Sequence, residues 1–245
     1  MKPVFSAFDL IRIINLPARV DRRRQMEAEL RRVGLGDDDR VAFVEAIASD
    51  TAAPWRLKGE RGIFLSHLKV LREAAASNSS VLILEDDADF TGAVESTEIA
   101  DDVPIFYGGY EASDPRALHS SDIVGAHCMG FSAETARVLV PFLEELFHHP
   151  SPPPIDGAYV WFRRANPGVK TQFAVPVVAV QRSSRSDIAQ LRFYDRWPGL
   201  REAAGLVRHG LRAAQRGSIT FGIREAILLA VVGIAIAIVT AMRNG

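Results

Sequence analysis

Four carboxylates directly follow a short apolar run in the middle of the chain. Val81 to Leu84 is succeeded by Glu85, Asp86, Asp87 and, after one alanine, Asp89. If strand geometry continues through the cluster, Asp87 and Asp89 lie on one side. Clustered carboxylates repel one another, so they need a cation or a hydrogen-bonding ligand nearby; hard oxygen ligands of this kind bind Mg²⁺ or Mn²⁺ together with a substrate's phosphates. The pattern indicates a metal-assisted site for a nucleotide-bearing substrate, with a solvated acidic turn as the equally common alternative.

A second group of polar residues lies one predicted helix upstream, in the segment GERGIFLSHLKV. It contains Glu60, Ser66 and His67. A lone histidine on a helix is more often a hydrogen-bonded core residue than a catalyst. In a parallel sheet, however, a strand after this helix returns the chain to the same edge, which brings these residues towards the acidic cluster.

The elements that must position these residues alternate between strand and helix. The apolar patterns predict a strand from Leu10, a helix with Asp21 as its N-cap and Gly34 as its stop, a strand over Val41 to Ile47, a helix over Gly62 to Ser77 and a strand over Val81 to Leu84. Further on they predict a strand over Pro104 to Tyr110, a helix capped by Ser132 that runs to Phe147, a helix or strand at AYVWF and a final strand at FAVPVVAVQ. This order predicts an α/β domain with a mostly parallel sheet, whose ligands lie at the carboxyl ends of the strands.

The composition favours a globular domain and excludes several classes of protein. The chain has 245 residues with 48% hydrophobic and 24% charged residues, which is typical of a globular domain plus an appendage. Cys128 is the single cysteine, which excludes an internal disulfide framework and a multi-thiolate metal site. From Arg182 onward, ten arginines and four acidic residues give +6, and the rest of the chain carries −7. The acidic body argues against a nucleic-acid partner.

The C-terminal segment has the character of a membrane anchor. Residues 226 to 242 carry no charge, and Thr240 is their only polar side chain, so the run reaches the length that spans a bilayer. Arginines precede it, which predicts a single-pass inner-membrane protein whose body faces the cytoplasm. The alternative is a buried or interfacial helix. We therefore predict a catalytic domain over 1–198, a basic amphipathic linker over 199–223, which either lies on anionic lipid or packs on the domain, and a transmembrane helix over 224–243.

Three motifs in order resemble glycosyltransferase family 25, which includes lipooligosaccharide and collagen galactosyltransferases. They are IINL at 13–16 followed by an Arg-rich helix with Arg22, then GERGIFLSHLKV, then VLILEDD. Further similarity lies in GAHCMGFSAETARVL, PPPID and AVQRSSRSDI, so that the resemblance spans about residues 10 to 190.

This resemblance implies a GT-A-like fold, a UDP-sugar donor, inversion at the anomeric carbon and a divalent cation. It implies donor binding by Asn15, Leu16, Arg22, Ser66 and Glu85, metal binding by Asp86 and Asp87, and catalytic roles for Glu60, His67 and Asp156, the last as the base. Asp89 joins the predicted metal ligands from the Asp-x-Asp pattern, because it need not belong to the family's acidic motif. Glu111 and Asp114 are alternative bases. Structural roles stay open for several of these residues: Asn15 at a strand end, Arg22 on a helix surface and Asp156 as a helix cap.

The sequence therefore predicts a membrane-anchored glycosyltransferase. It would move a hexose, with galactose the first expectation, from a UDP donor to a glycan or glycolipid acceptor such as a lipopolysaccharide precursor. The alternatives are a metal-dependent phosphoryl-transfer enzyme and a non-catalytic glycan-binding or scaffold protein at the membrane. No P-loop is present, which disfavours the first alternative.

Overall fold

A computed structural model describes residues 1–101 and 103–182. The chain divides into two units, Met1–Ile188 and Ala189–Gly245, and all described residues belong to the first. The predicted linker and transmembrane helix lie outside the described residues and stay predictions. Within the described part of the chain, no helix is both long and apolar enough to cross a membrane.

The described chain is a mixed α/β domain. Its strands are β1 (Lys2–Pro3), β2 (Leu10–Asn15), β3 (Val41–Glu45), β4 (Val81–Glu85), β5 (Ala88–Phe90), β6 (Glu98–Ile99), β7 (Ile105–Ala112), β8 (Ile123–Phe131), β9 (Thr171–Phe173) and β10 (Ala179–Gln181). Its helices are α1 (Val20–Arg32), α2 (Lys58–Ser77), α3 (Ala133–Phe147) and α4 (Ile155–Ala165), with 3₁₀ turns at Val4–Ala7 and Gly92–Glu95.

Six strands form the central sheet in the order β3-β2-β4-β8-β7-β9. The pairs β2–β3, β2–β4 and β7–β9 are parallel, and β8 runs antiparallel to both of its neighbours. Five of the six strands therefore point the same way, which confirms the predicted mostly parallel α/β sheet. The pairs β1–β6 and β5–β10 are separate two-stranded sheets.

Both faces of the sheet are buried, which explains the continuous apolar run in β4. Val81 and Ile83 belong to the core on one face, which α2, α3 and α4 cover. Leu82 and Leu84 belong to the core on the other face, where α1 contributes Met26. Strands covered on both faces have no polar side to alternate with, so they read as unbroken hydrophobic segments.

The strand register aligns the carboxyl ends of β2, β3 and β4. Asn15, the last residue of β2, pairs with Glu45, the last residue of β3. Ile14 pairs with Glu85, the last residue of β4. The turn after β4 therefore lies beside the end of β2, and the polar residues of both strands meet at one edge of the sheet.

The local structure differs from the sequence prediction at two places in this part of the chain. Asp21 is not the N-cap of α1: Arg19 holds that position, and Asp21 lies in the first turn, where it accepts hydrogen bonds from Arg19. The strand predicted at FAVPVVAVQ is two short strands, β9 and β10, with Pro176 between them; proline has no N–H to donate to a ladder. The segment AYVWF is helical, and Gly34, with φ +79°, follows α1 as predicted.

Strand β8 was not predicted as an element. Its sequence, IVGAHCMGF, contains two glycines and no run of alternating polarity. Gly130 is required because a Cβ there would overlap the ring of Phe8, which packs directly on the strand. The β8 segment therefore has a low intrinsic preference for strand, because close packing requires glycine at this position.

Candidate functional site

A pocket of about 250 Å³ lies at the carboxyl ends of β2, β3 and β4. Its volume is just below the roughly 300 to 1,000 Å³ of typical ligand pockets. Part of its lining is apolar and part is charged, and we call these parts the apolar wall and the charged wall. The lining residues are Ile14, Leu16, Arg22, Ala46, Ile47, Ala48, Ser49, Lys58, Gly59, Gly62, Ile63, Ser66, Glu85, Asp86, Asp87 and Gln181.

The turn after β4 supplies the charged wall, and Asp86 is its best-anchored residue. Its Oδ1 accepts a hydrogen bond from Nη1 of Arg22 at 2.8 Å. Its Oδ2 accepts from Nδ2 of Asn15 at 2.7 Å, and the same amide reaches the carbonyl of Arg19. Asn15 lies behind the wall, so it fixes Asp86 and does not line the pocket.

Asp87 is more buried and less well satisfied. Its Oδ2 lies 3.2 Å from Nη1 of Arg22 and accepts from Nε2 of Gln181 at 3.3 Å. Its Oδ1 is buried and has no hydrogen-bond partner among the described residues. Asp87 is only 3% exposed. The fold therefore holds one carboxylate oxygen ready for a ligand that donates hydrogen bonds or carries positive charge.

The electrostatics of the turn separate Asp87 from Glu85. Burial, together with the negative charges of Glu85 and Asp86, raises the pKa of Asp87 to about 7, against the positive charge of Arg22. For Glu85, burial alone would raise the pKa, but His67, His127 and Arg22 outweigh it and lower the pKa. At neutral pH Glu85 is ionised while Asp87 is poised between its two forms, so a cation bound there would favour the carboxylate.

Two buried polar side chains, Tyr159 and His67, lead to Glu85 from the protein interior. The hydroxyl of Tyr159 on α4 hydrogen-bonds Nδ1 of His67 at 2.9 Å, and Nε2 of His67 lies 3.6 Å from Oε1 of Glu85. His67 is fully buried and does not line the pocket, so its predicted catalytic role could operate only through Glu85. His127 on β8 immediately precedes Cys128, the partner of Leu84, and because the two strands are antiparallel it flanks Glu85.

The apolar wall is built by the loop after β3 and held by Ser66. The hydroxyl of Ser66 accepts from the backbone N–H of Ile47 at 2.8 Å and donates to the carbonyl of Gly62 at 2.7 Å. A Cβ at Gly62 would overlap the carbonyl oxygen of Ile47, so only glycine allows helix and loop to meet this closely. Ser66 therefore lines the pocket with its hydroxyl already used by the backbone, and its donor-binding role stays a prediction.

Glu60 lies at the start of α2 outside the pocket lining. Its Oε2 accepts from the backbone N–H of Leu57 at 3.2 Å, as the third-position glutamate of a capped helix does. Lys58, two residues earlier on the same helix, does line the pocket, and the sequence analysis did not single it out. The catalytic role predicted for Glu60 stays a prediction.

Asp89 does not join the acidic turn, contrary to the expectation that it lies on one side with Asp87. It lies in β5, opposite Val180 of β10, and its Oδ1 accepts from Nε and Nη2 of Arg182 at 2.9 and 2.5 Å. The chain turns at Asp86 and Asp87 instead of continuing as a strand. Among residues 1–101 and 103–182, no three His, Cys, Asp or Glu side chains are arranged to hold a metal ion. The residues that fit a cation are Asp87, through its unpartnered oxygen, and its neighbour Asp86.

Asp156, the predicted base, lies at the start of α4 outside the pocket lining. Its Oδ2 accepts from the N–H of Gly125 at 2.9 Å and its Oδ1 from the N–H of Gly157 at 2.8 Å. Pro154 is the N-cap of α4, so the helix-cap role considered for Asp156 from the sequence is wrong; Asp156 lies in the first turn of the helix. The alternative bases, Glu111 and Asp114, are exposed and also lie outside the lining. The assignment of the base stays a prediction.

A second, more open concavity of about 680 Å³ lies between the ends of α3 and α4. His148, His149, Trp161 and Arg164 are among its lining residues. It contains none of the residues predicted from the motifs. We therefore place the candidate site in the smaller pocket.

No protein-family model matches the chain, and no curated protein matches its sequence. Two solved structures are similar in shape. A glycosyltransferase involved in the glycosylation of the major capsid of PBCV-1 has 12% identity and a TM-score of 0.48, over 72% of this chain and 95% of that one. CTP:phosphocholine cytidylyltransferase from Streptococcus pneumoniae has 13% identity and a TM-score of 0.37, over 73% and 75%. Likenesses this distant carry no argument about this chain's function.

Proposed function

We propose that this chain is a glycosyltransferase that binds a nucleotide-sugar donor in the pocket at the carboxyl ends of β2, β3 and β4. The observation that carries the proposal is the pairing of an apolar wall with a wall of carboxylates and an arginine. An apolar wall suits the flat ring of a nucleobase, and a charged wall suits a diphosphate and its counter-ion. Ligands of α/β sheets commonly lie at this edge.

The resemblance to family 25 makes the proposal more specific. It supports a UDP-sugar donor, galactose as the first sugar to test, and inversion at the anomeric carbon. Of the site residues predicted from the sequence, Leu16, Arg22, Ser66, Glu85, Asp86 and Asp87 line the pocket. Residues separated by about 70 positions in the chain are thus gathered around one cavity.

The side chains of the pocket have distinct proposed roles. Arg22 and Lys58 bring positive charge to the diphosphate of the donor. Asp87 and Asp86 would hold a divalent cation, Mn²⁺ or Mg²⁺, whose chemistry is to stabilise the negative charge that develops on the departing diphosphate. Ile14 and Ile63 offer apolar contact to the base.

The acceptor is proposed from the sequence alone. A glycan or glycolipid hydroxyl, as in a lipopolysaccharide precursor, suits a family 25 enzyme that is held at the cytoplasmic face of the inner membrane. Tethering raises the effective concentration of a lipid-linked acceptor without any new contact. The carboxylate that takes the acceptor's proton is proposed to be Asp156, and loss of transfer with retained donor binding in Asp156→Asn is the expected result.

Donor binding is tested by calorimetry on the full-length protein. UDP, UDP-galactose and UDP-glucose are titrated with and without Mn²⁺. We expect Mn²⁺ to strengthen the binding of one sugar nucleotide, and Asp87→Asn to remove that strengthening. Asp89→Asn is the matched control, because the same substitution is made at an aspartate that lies outside the pocket. Equal effects of the two substitutions, or no binding of any of the three ligands, would contradict the proposal.

Release of UDP separates the transferase from the other two classes. A glycosyltransferase releases UDP from the sugar nucleotide rapidly only when an acceptor, such as lipopolysaccharide core oligosaccharide, is present. A hydrolase or phosphoryl-transfer enzyme releases phosphate or nucleotide without it. A scaffold releases nothing, and its Asp87→Asn variant keeps its glycan binding.

A further inference from the structure

The acidic turn already has a cation of its own. The carboxylates of Asp86 and Asp87 have four oxygens, and three of them accept hydrogen bonds or ion pairs from Arg22, Asn15 and Gln181. The fourth, Oδ1 of Asp87, is buried without a partner among the described residues. A divalent ion could therefore bind one oxygen that has no protein donor, and at any second oxygen it would share the site with a protein group.

Arg22 is the group whose position conflicts with such an ion. A single nitrogen, Nη1, lies 2.8 Å from Asp86 and 3.2 Å from Asp87, so its positive charge lies between the two carboxylates. Its side chain is only 12% exposed. Two cations at the same pair of carboxylates repel each other strongly where water is largely excluded. The amides of Asn15 and Gln181 carry no charge and impose no such repulsion.

We propose that Arg22 is a built-in counter-cation that competes with a divalent metal ion for Asp86 and Asp87, and that its guanidinium turns to the donor's diphosphate when the ion binds. The competition depends only on the contacts above, whereas the turn to the diphosphate rests on the proposed function. Arg22 already lines the pocket, and a guanidinium matches phosphate oxygens as well as it matches carboxylates. Arg22 thereby partly compensates the negative charge of the turn before an ion binds.

The competition is tested without nucleotide and without an activity assay. Mn²⁺ alone is titrated into the full-length protein, and the free ion is followed by electron paramagnetic resonance. We expect Arg22→Gln to bind Mn²⁺ at least about tenfold more tightly than the wild type, because a positive charge next to the ion is removed. Arg24→Gln, the same change at an exposed position of the same helix, should leave the affinity unchanged. Unchanged or weaker Mn²⁺ binding in folded Arg22→Gln would overturn the proposal.

A second measurement holds even if Arg22→Gln does not fold. The NMR resonance of the Arg22 Nε–H group is identified by its loss in Arg22→Lys. In the wild type this resonance should shift on saturation with Mg²⁺. A resonance that stays in place would refute the displacement of Arg22. UDP should then strengthen Mn²⁺ binding in the wild type and much less in Arg22→Gln, since coupling between two ligands is reciprocal. If UDP does not bind at all, the proposed function fails, while the comparison with Mn²⁺ alone still decides the competition.

Discussion

Replacing Asp87 by asparagine should make the protein more stable at neutral and alkaline pH while removing metal-dependent donor binding. The wild-type carboxylate is buried beside Glu85 and Asp86, and one of its oxygens has no partner among the described residues. Asparagine has almost the same shape and no charge, so it removes the repulsion. Its remaining cost is the weakened contact with Arg22, which keeps its shorter contact with Asp86.

The magnitude follows from the pKa of Asp87, which is raised from 3.8 to about 7 in the folded protein. The folded state holds this proton more tightly than the unfolded state, so the resulting stability is complete below about pH 3.8 and is lost as the pH rises through about 7. At 1.36 kcal/mol for each pH unit, the full loss is about 4 kcal/mol, of which about 2 to 3 kcal/mol falls between pH 5 and pH 7. Asparagine cannot take part in this titration.

The assay is urea unfolding of the full-length wild type and variant at several pH values between 5 and 8, in metal-free buffer. The free energy of unfolding of Asp87→Asn, minus that of the wild type, should increase with pH and level off above pH 7. Asp89→Asn is the control of opposite sign: it removes the negative charge that the guanidinium of Arg182 pairs with and should destabilise by about 1 to 3 kcal/mol. A difference for Asp87→Asn that stays constant with pH would refute the reasoning.

Three further substitutions test the supports of the pocket. Gly62→Ala should destabilise by about 2 kcal/mol or more and weaken UDP binding, because its Cβ would push away the carbonyl of Ile47; urea unfolding and calorimetry measure both effects. Ser66→Ala should cost about 1 to 2 kcal/mol in urea unfolding, since the N–H of Ile47 loses its acceptor, and a neutral result would contradict this. Tyr159→Phe should cost a similar amount by leaving Nδ1 of His67 without its partner; a melting temperature equal to that of the wild type would count against it.

The sequence could predict the central part of the fold because its signals are local. The apolar runs of β2 and β4 and the amphipathic helices between them are readable one segment at a time. Alternation of strand and helix then implies parallel pairing, and parallel pairing brings Asn15 and the turn after Glu85 to one edge. The meeting of Asn15 with Asp86 was predictable in this sense, and the structure confirms that these segments lie together.

The features of the site that the sequence could not predict depend on contacts between residues far apart in the chain. His127 flanks Glu85 only because β8 inserts antiparallel beside β4, and nothing in the local pattern of β8 indicates that strand. Tyr159 lies on a helix whose class was left open, so its bond to His67 had no sequence signature. The pairing of Asp89 with Arg182 joins residues 93 positions apart through β5 and β10, neither of which was predicted with its partner.

The partners of the carboxylates distinguish their roles better than the motif does. Asp89 belongs to the acidic run by sequence, but Arg182 neutralises it with two hydrogen bonds, as expected for a residue that stabilises the fold. Both oxygens of Asp86 are also satisfied, by Asn15 and Arg22, so Asp86 is fixed in place. Asp87 alone combines burial, a raised pKa and an unpartnered oxygen. A fold retains such a costly group where a ligand compensates it, and this is why we assign the ligand to Asp87 first.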